Sequence, residues 1–426
     1  MMNRLSRRDF IKHMRALGAL SAVGALGFPV ITRAQSSGQV VIIGGGFGGA
    51  TCAKYLRRSV PGLGITLIEP KDKYVTCPFS NTVLAGINKM DFITHSYSDL
   101  AGKYQVNIVH DTATAIDTAG KKLTTKSGQI LNYDHLVVSP GIDFRWDAIE
   151  GYDEAASGKI PHAWQAGPQT ELLYKQIAAM NDGGVVVITT PPGVFRAPSA
   201  PYERASMVAF YLKQNKPKSK VLILDSGDTF DEHDLFMQAW EELFPGMIEW
   251  VKNSQVVKAD AGAMTVSTKG GDTHKGDVIN IIPPQKAGAI ANVAGLTDES
   301  GWCPVNQRTF ESTKQKAIHI IGDACIAGDM PKAGSAANTQ AKVCAAAIVS
   351  SFTGEAIPEP VFISVFYSLI GDQYAISDAW LYRVTDGQIR KASGGLSAMK
   401  APEKVRRKEM EYAKGWYKAI TSDAFN

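Results

Sequence analysis

The sequence predicts an α/β fold: two dinucleotide-binding, Rossmann-like domains, the first split by the second, with a C-terminal α+β interface domain. Three observations predict it. An apolar run opens on a glycine turn at 40–49, a second strand–helix–strand unit occupies 185–225, and a third apolar run ends in Gly322-Asp323. Strands that alternate with helical stretches are the mark of a parallel sheet, because parallel neighbours need a crossover connection. A chain of 426 residues, 45% hydrophobic and 20% charged, is long enough to bury more than one core.

The first element is the segment 1–34, which reads as a twin-arginine signal peptide. Arg7-Arg8 precede Phe10-Ile11-Lys12, an apolar stretch runs from Ala16 to Ile31, and Ala34 offers a small residue for cleavage. A membrane anchor is the competing reading, but a Gly- and Ala-rich stretch this short falls below the roughly 20 residues that a span needs. The same segment carries six of the basic residues and one acid, so its removal turns a net charge of +4 into −1. That balance argues against a dedicated nucleic-acid binder.

Val40-Val41-Ile42-Ile43 is the first strand. Gly44-x-Gly46-x-x-Gly49 follows it and opens a helix. In this context Gly44 makes the tight turn, Gly46 and Phe47 bring backbone near a pyrophosphate, and Gly49 lets helix pack on strand. The next strand leads to Glu69 and Pro70, where a carboxylate can accept from a ribose hydroxyl. Ser139-Pro140-Gly141 resembles the segment that returns the chain to the FAD domain in two-dinucleotide-domain flavoproteins. Ile318 to Asp323 resembles their second FAD fingerprint, in which Gly322 and Asp323 reach the ribitol and pyrophosphate. The first site is therefore assigned to FAD, held by 35–150 and 290–350.

The segment 151–289 forms the second Rossmann-like domain. Its strand leads into Thr189-Thr190-Pro191-Pro192-Gly193-Val194-Phe195. Proline supplies no N–H and Phe195 stands where close approach would need glycine. No nicotinamide cofactor is expected there. Residues 351–426 make the C-terminal domain, whose basic stretch 404–408 reads as a solvated helix face rather than a docking patch.

The chain resembles the flavoprotein subunit of flavocytochrome c sulfide dehydrogenase, a relative of sulfide:quinone oxidoreductases and of glutathione reductase. The marks are Tyr74 to Asn81, Ala200 to Ser206, Gly301 to Val305 and Met330 to Gly334. The resemblance implies an FAD-dependent dehydrogenase that passes electrons from a small reduced sulfur compound to a c-type cytochrome subunit in the periplasm. It implies a thioether from Cys77 to the flavin; a buried structural cysteine is the plain reading of the same residue. Glu203 matches a family carboxylate near the flavin, where it acts as acid or base or simply caps a helix N-terminus. Lys332 either assists or is exposed, and the helix opening at Gly334 turns its dipole toward a reduced flavin.

Two departures stand out. The family's redox disulfide belongs at Ala197 and Phe366, and neither is cysteine. Cys52, Cys303, Cys325 and Cys344 offer no evident replacement pair. No Cys-x-x-Cys-His occurs, so a haem, if used, sits on a separate subunit. A dehydrogenase for a non-sulfur donor, and an electron-transfer or assembly subunit without a substrate step, remain the alternatives.

Overall fold

The computed structural model describes residues 38–426, so the signal-peptide reading of 1–34 lies outside the described residues. Gln39–Ile43 is the central strand of a five-stranded sheet, pairing in parallel with Gly64–Ile68 on one side and His135–Val138 on the other. Asn107–Val109 extends one edge and Ile318–Ile320 the other. That last strand enters only after the second sheet is complete. Val40 to Ile43 are buried on both faces, which explains a continuous Val/Ile run rather than an alternating one.

The helix Phe47–Ser59 covers one face of this sheet and packs against the long helix Gly334–Thr353. It is also tied to the helix Glu403–Phe425. Lys54, almost fully buried, donates from Nζ to the closing carbonyls of Ser422 (3.2 Å), Asp423 (3.0 Å) and Asn426 (2.6 Å). A cation at a helix C-terminus satisfies carbonyls that have no partner within the helix. The anchored helix end then places Phe425 against Phe47 and Tyr74, at ring-centroid distances of 5.5 Å and 5.3 Å.

The second sheet is four-stranded and parallel, in the order Ile248–Val251, Lys220–Leu224, Val185–Thr189, Val278–Ile281. The polar strands Val256–Asp260, Thr265–Thr268 and Thr273–Lys275 form an antiparallel flap beside it. A three-stranded antiparallel sheet, Val361–Gly371, Tyr374–Thr385 and Gln388–Leu396, follows with the helix Glu403–Phe425 against it. Along 404–408 the helix exposes Arg407 and Lys408, which pair with Glu403 and Glu411. Arg406 departs from the solvated-face expectation. It is fully buried, bonded to Glu409 at 3.0 Å and to the Ala398 carbonyl at 2.7 Å. None of the described helices is long and apolar enough to cross a membrane.

Candidate active site

The glycine turn has the geometry its spacing predicts. Gly44 has φ +92°, and a Cβ there would meet the Ser139 carbonyl oxygen at 2.2 Å. A Cβ on Gly49 would meet the Gly44 carbonyl oxygen at 1.9 Å. Both positions are closed to any other residue, because the obstacle is backbone. Gly46 is extended and caps the helix Phe47–Ser59 without a side-chain hydrogen bond, so no side chain takes up the first-turn N–H groups. Glu69 Oε2 accepts from the Gly45 N–H at 2.8 Å, which fixes the carboxylate over the turn, and Pro70 next to it lies exposed at the rim.

The second fingerprint comes to the same place. Gly322 has φ +75° and donates its N–H to Gln340 Oε1 at 2.8 Å, while Gly141 in the return segment has φ +67°. Asp323 Oδ2 lies 3.4 Å from Arg196 Nη1, and both side chains are mostly buried. Burial first, then the charges of Cys77, Asp323 and Glu69, push the Tyr74 phenol far above its ordinary range, with Arg196 opposing. That one phenol responds to all four groups, so residues between 69 and 323 share one neighbourhood.

Beyond Tyr74 the site widens into an open cleft. Cys77, Trp164, Arg196, Ala197, Glu203, Arg204, Gly334 and Phe366 are among its walls. A Cβ on Gly334 would meet the Phe47 ring at 2.8 Å, so the helix Gly334–Thr353 begins against the fingerprint loop. Cys77 Sγ lies 3.6 Å from the Trp164 carbonyl oxygen. Ala197 and Phe366, the positions at which the resemblance puts the redox disulfide, are both in this wall. All five cysteines are free thiols.

Glu203 opens into the cleft from the first turn of the helix Ala200–Asn215. Burial raises its carboxyl from 4.5 to about 7, against the opposing pull of Asn81, the Leu369 N–H and Arg204. Arg204 is structural as well as electrostatic. It donates to Asn81 Oδ1 (3.1 Å), Asn280 Oδ1 (2.9 Å) and the carbonyls of His162 (3.1 Å) and Ala163 (2.7 Å). The same guanidinium lies over the Trp164 ring at 4.9 Å.

Lys332 does not line the cleft. Its ammonium donates to the carbonyls of Asp323 (2.7 Å) and Cys325 (2.9 Å) and sits 3.8 Å above the Trp302 ring. Those contacts hold the second fingerprint in shape. They overturn the exposed reading of Lys332 and give it a structural tie to the second fingerprint. The strand register also pairs Cys303 with Cys325, a neighbour the sequence did not disclose.

The residues fit FAD. The turn tolerates nothing but glycine, the first helix offers uncapped N–H groups, and the buried Trp164 Nε1 on the cleft wall has no hydrogen-bond partner.

Comparison with known proteins agrees with this geometry. Residues 38–187 match the pyridine nucleotide-disulphide oxidoreductase family. Residues 170–283 match the central region of the sulfide dehydrogenase [flavocytochrome c] flavoprotein chain, and 358–425 match the flavocytochrome c sulphide dehydrogenase flavin-binding region. The flavoprotein chain of sulfide dehydrogenase [flavocytochrome c] from Chlorobaculum thiosulfatiphilum is 62% identical over 45 residues, 11% of this chain and 94% of that sequence. The chain belongs to the flavocytochrome c sulfide dehydrogenase flavoprotein family. It is a flavoprotein oxidoreductase that binds FAD. The sulfide-quinone reductase of Aquifex aeolicus is 28% identical over 297 residues, 66% of this chain and 67% of the relative. The solved structure of the sulfide:quinone oxidoreductase from that bacterium superposes with a TM-score of 0.73 at 21% identity, covering 91% of this chain and 92% of its own. At the two positions where the resemblance puts the disulfide, this chain has Ala197 and Phe366.

Proposed function

We propose that this protein oxidises sulfide or a closely related reduced sulfur compound in the cleft and hands the electrons singly to a c-type cytochrome subunit. The reading includes a thioether between Cys77 and FAD, and export of the folded protein to the periplasm. The observation that carries it is the convergence of Cys77, Glu203 and Arg204 on one cleft that continues from the FAD turn. The names of the relatives support the substrate class, and the paired Arg7-Arg8 support export.

When bound, FAD supplies a two-electron acceptor that can release electrons one at a time. The protein does the rest. Two mostly buried arginines, Arg196 and Arg204, favour an anionic donor such as hydrosulfide. Glu203, with its carboxyl near 7, is divided between acid and base at neutral pH and can take the proton that the donor loses. With no thiol at 197 or 366, the donor meets the cofactor directly rather than through a sulfur relay.

A second reading has its own observation. The apolar Phe366 and Ala197 in place of a reactive pair favour a subunit that retains FAD but has no substrate step. Anaerobic titration of the purified holoprotein with sulfide separates the two. Stoichiometric bleaching of the flavin absorbance supports the dehydrogenase; no bleaching, with dithionite still reducing the flavin, supports the electron carrier.

A further inference from the structure

A second buried carboxyl stands behind the cleft. Glu232 caps the helix His233–Leu243 with φ +64°, is 6% exposed, and its Oε1 has no hydrogen-bond partner. Its other oxygen accepts from the Ser368 hydroxyl at 2.9 Å, and the Ser199 hydroxyl also favours its charged form. Both serines line the cleft that contains Glu203. Ser199 is one helical turn from Glu203, accepting its N–H at 3.1 Å.

Glu232 also feels the charges of Asp378 and of its chain neighbour Asp231. These two aspartates line a separate, small outer pocket, together with Asp329, Tyr382 and Lys391. Ser199 and Phe366 belong to the walls of both cavities, so they form the partition between them. Asp378 is the cross-strand partner of Phe366 and shares its face of the sheet, and its Oδ1 is also unpartnered. Asp231 is exposed, which gives the series an end in solvent. Burial lifts Glu232 to about 8 and Asp378 to about 6, so at neutral pH each exchanges a proton at small cost.

The chemistry needs such a route. Oxidation of hydrosulfide, HS⁻ → S⁰ + H⁺ + 2e⁻, leaves one proton in the cleft for every two electrons that pass to one-electron acceptors. We propose that Glu232 is a proton-relay residue that carries this proton from the cleft, by way of Ser199 and Ser368, to the outer pocket at Asp378 and Asp231. The charged and titratable groups facing the route are Asp231, Asp329, Asp378, Tyr382 and Lys391 at its outer end, and Cys77, Arg196, Glu203, Arg204 and Tyr367 at its inner end. The proposal rests on the FAD site described above and does not depend on sulfide being the donor.

The test uses the holoprotein reduced by light with a deazaflavin and then mixed with ferricyanide in weak buffer containing a pH-indicator dye. Every electron pair withdrawn then sends a proton to solvent, whatever the natural substrate. Glu232→Gln is expected to slow proton release at least tenfold at pH 7, and added imidazole is expected to restore it. A purely structural role would give no rescue. Asp378→Asn is expected to slow release by a smaller factor, and it carries the same test if Glu232→Gln fails to retain flavin. Wild-type proton release in the variant that folds overturns the relay. A negative sulfide titration, by contrast, overturns only the choice of donor.

Discussion

At the end of the strand Gln39–Ile43 the chain turns through Gly44 at φ +92° and leaves the start of the next helix uncapped, beside an open cleft. At the equivalent end of Val185–Thr189 it runs into Thr190, Pro191 and Pro192, and the crevice is filled. Asp225 accepts there from Thr190 Oγ1 (2.7 Å), Tyr202 OH (2.6 Å) and Trp250 Nε1 (2.7 Å). Tyr202 stacks on Phe230 with centroids 3.5 Å apart, and Phe230 meets Trp250 at 5.5 Å. The two sheets share parallel strand order and crossover helices. What differs between them is the handful of residues at the strand ends. The filled half still has work to do, since Arg196, Ala197, Glu203 and Arg204, all just past its first strand, build the cleft of the other half.

That comparison can be broken most severely at Gly44. In Gly44→Ala the new Cβ lies 2.2 Å from a backbone oxygen, so we expect the flavin-to-protein absorbance ratio to fall at least tenfold. The next largest effect is expected at Glu203, the contribution of the filled half to the chemistry. Glu203→Gln should slow donor-dependent flavin reduction about 100-fold. It should also abolish the rise in rate as pH passes about 7, where the wild-type group becomes a carboxylate. Because the folded carboxyl sits above its ordinary 4.5, the fold holds the extra proton between those values, and the wild type loses stability as pH rises through 7. Glu203→Gln should flatten that loss in melting curves taken from pH 5 to pH 8.

Smaller effects sharpen the contrast from the other side. Asp225→Ala strands the Tyr202 and Trp250 donors and should cost about 3 kcal/mol in denaturant unfolding, with flavin content retained. Gly193→Ala has φ +76° but nothing within 4 Å of the added Cβ. It should cost only about 1 kcal/mol, the strain of a left-handed alanine, and leave the flavin spectrum unchanged. Loss of flavin in either variant would mean that the second crevice takes part in cofactor binding.

The FAD half was legible because its signals are local. A Val/Ile run, three glycines, an acid on the next strand and Gly322-Asp323 each state a backbone requirement within a few residues. The proline-rich turn after Val185–Thr189 was legible for the same reason, since Pro191 and Pro192 remove donors wherever the chain goes. Long-range placement was not. Nothing in the text around Glu232 distinguishes it from its exposed neighbours Asp231 and Asp234; its burial comes from Ser368, 136 positions away. Lys332 read as either an assistant or an exposed residue, and only the fold shows its ammonium turned onto two carbonyls. The Cys303–Cys325 pairing and the plug around Asp225 likewise arise from strands that meet only in the folded chain.

The most direct test of this account is anaerobic addition of NADH to the oxidised holoprotein, followed at the flavin absorbance maximum. With Asp225, Tyr202, Phe230 and Trp250 filling the second crevice, the account predicts no bleaching on the timescale of turnover. Rapid bleaching by NADH would contradict it, because the second half would then be a working nucleotide site and the cleft would not need a small donor.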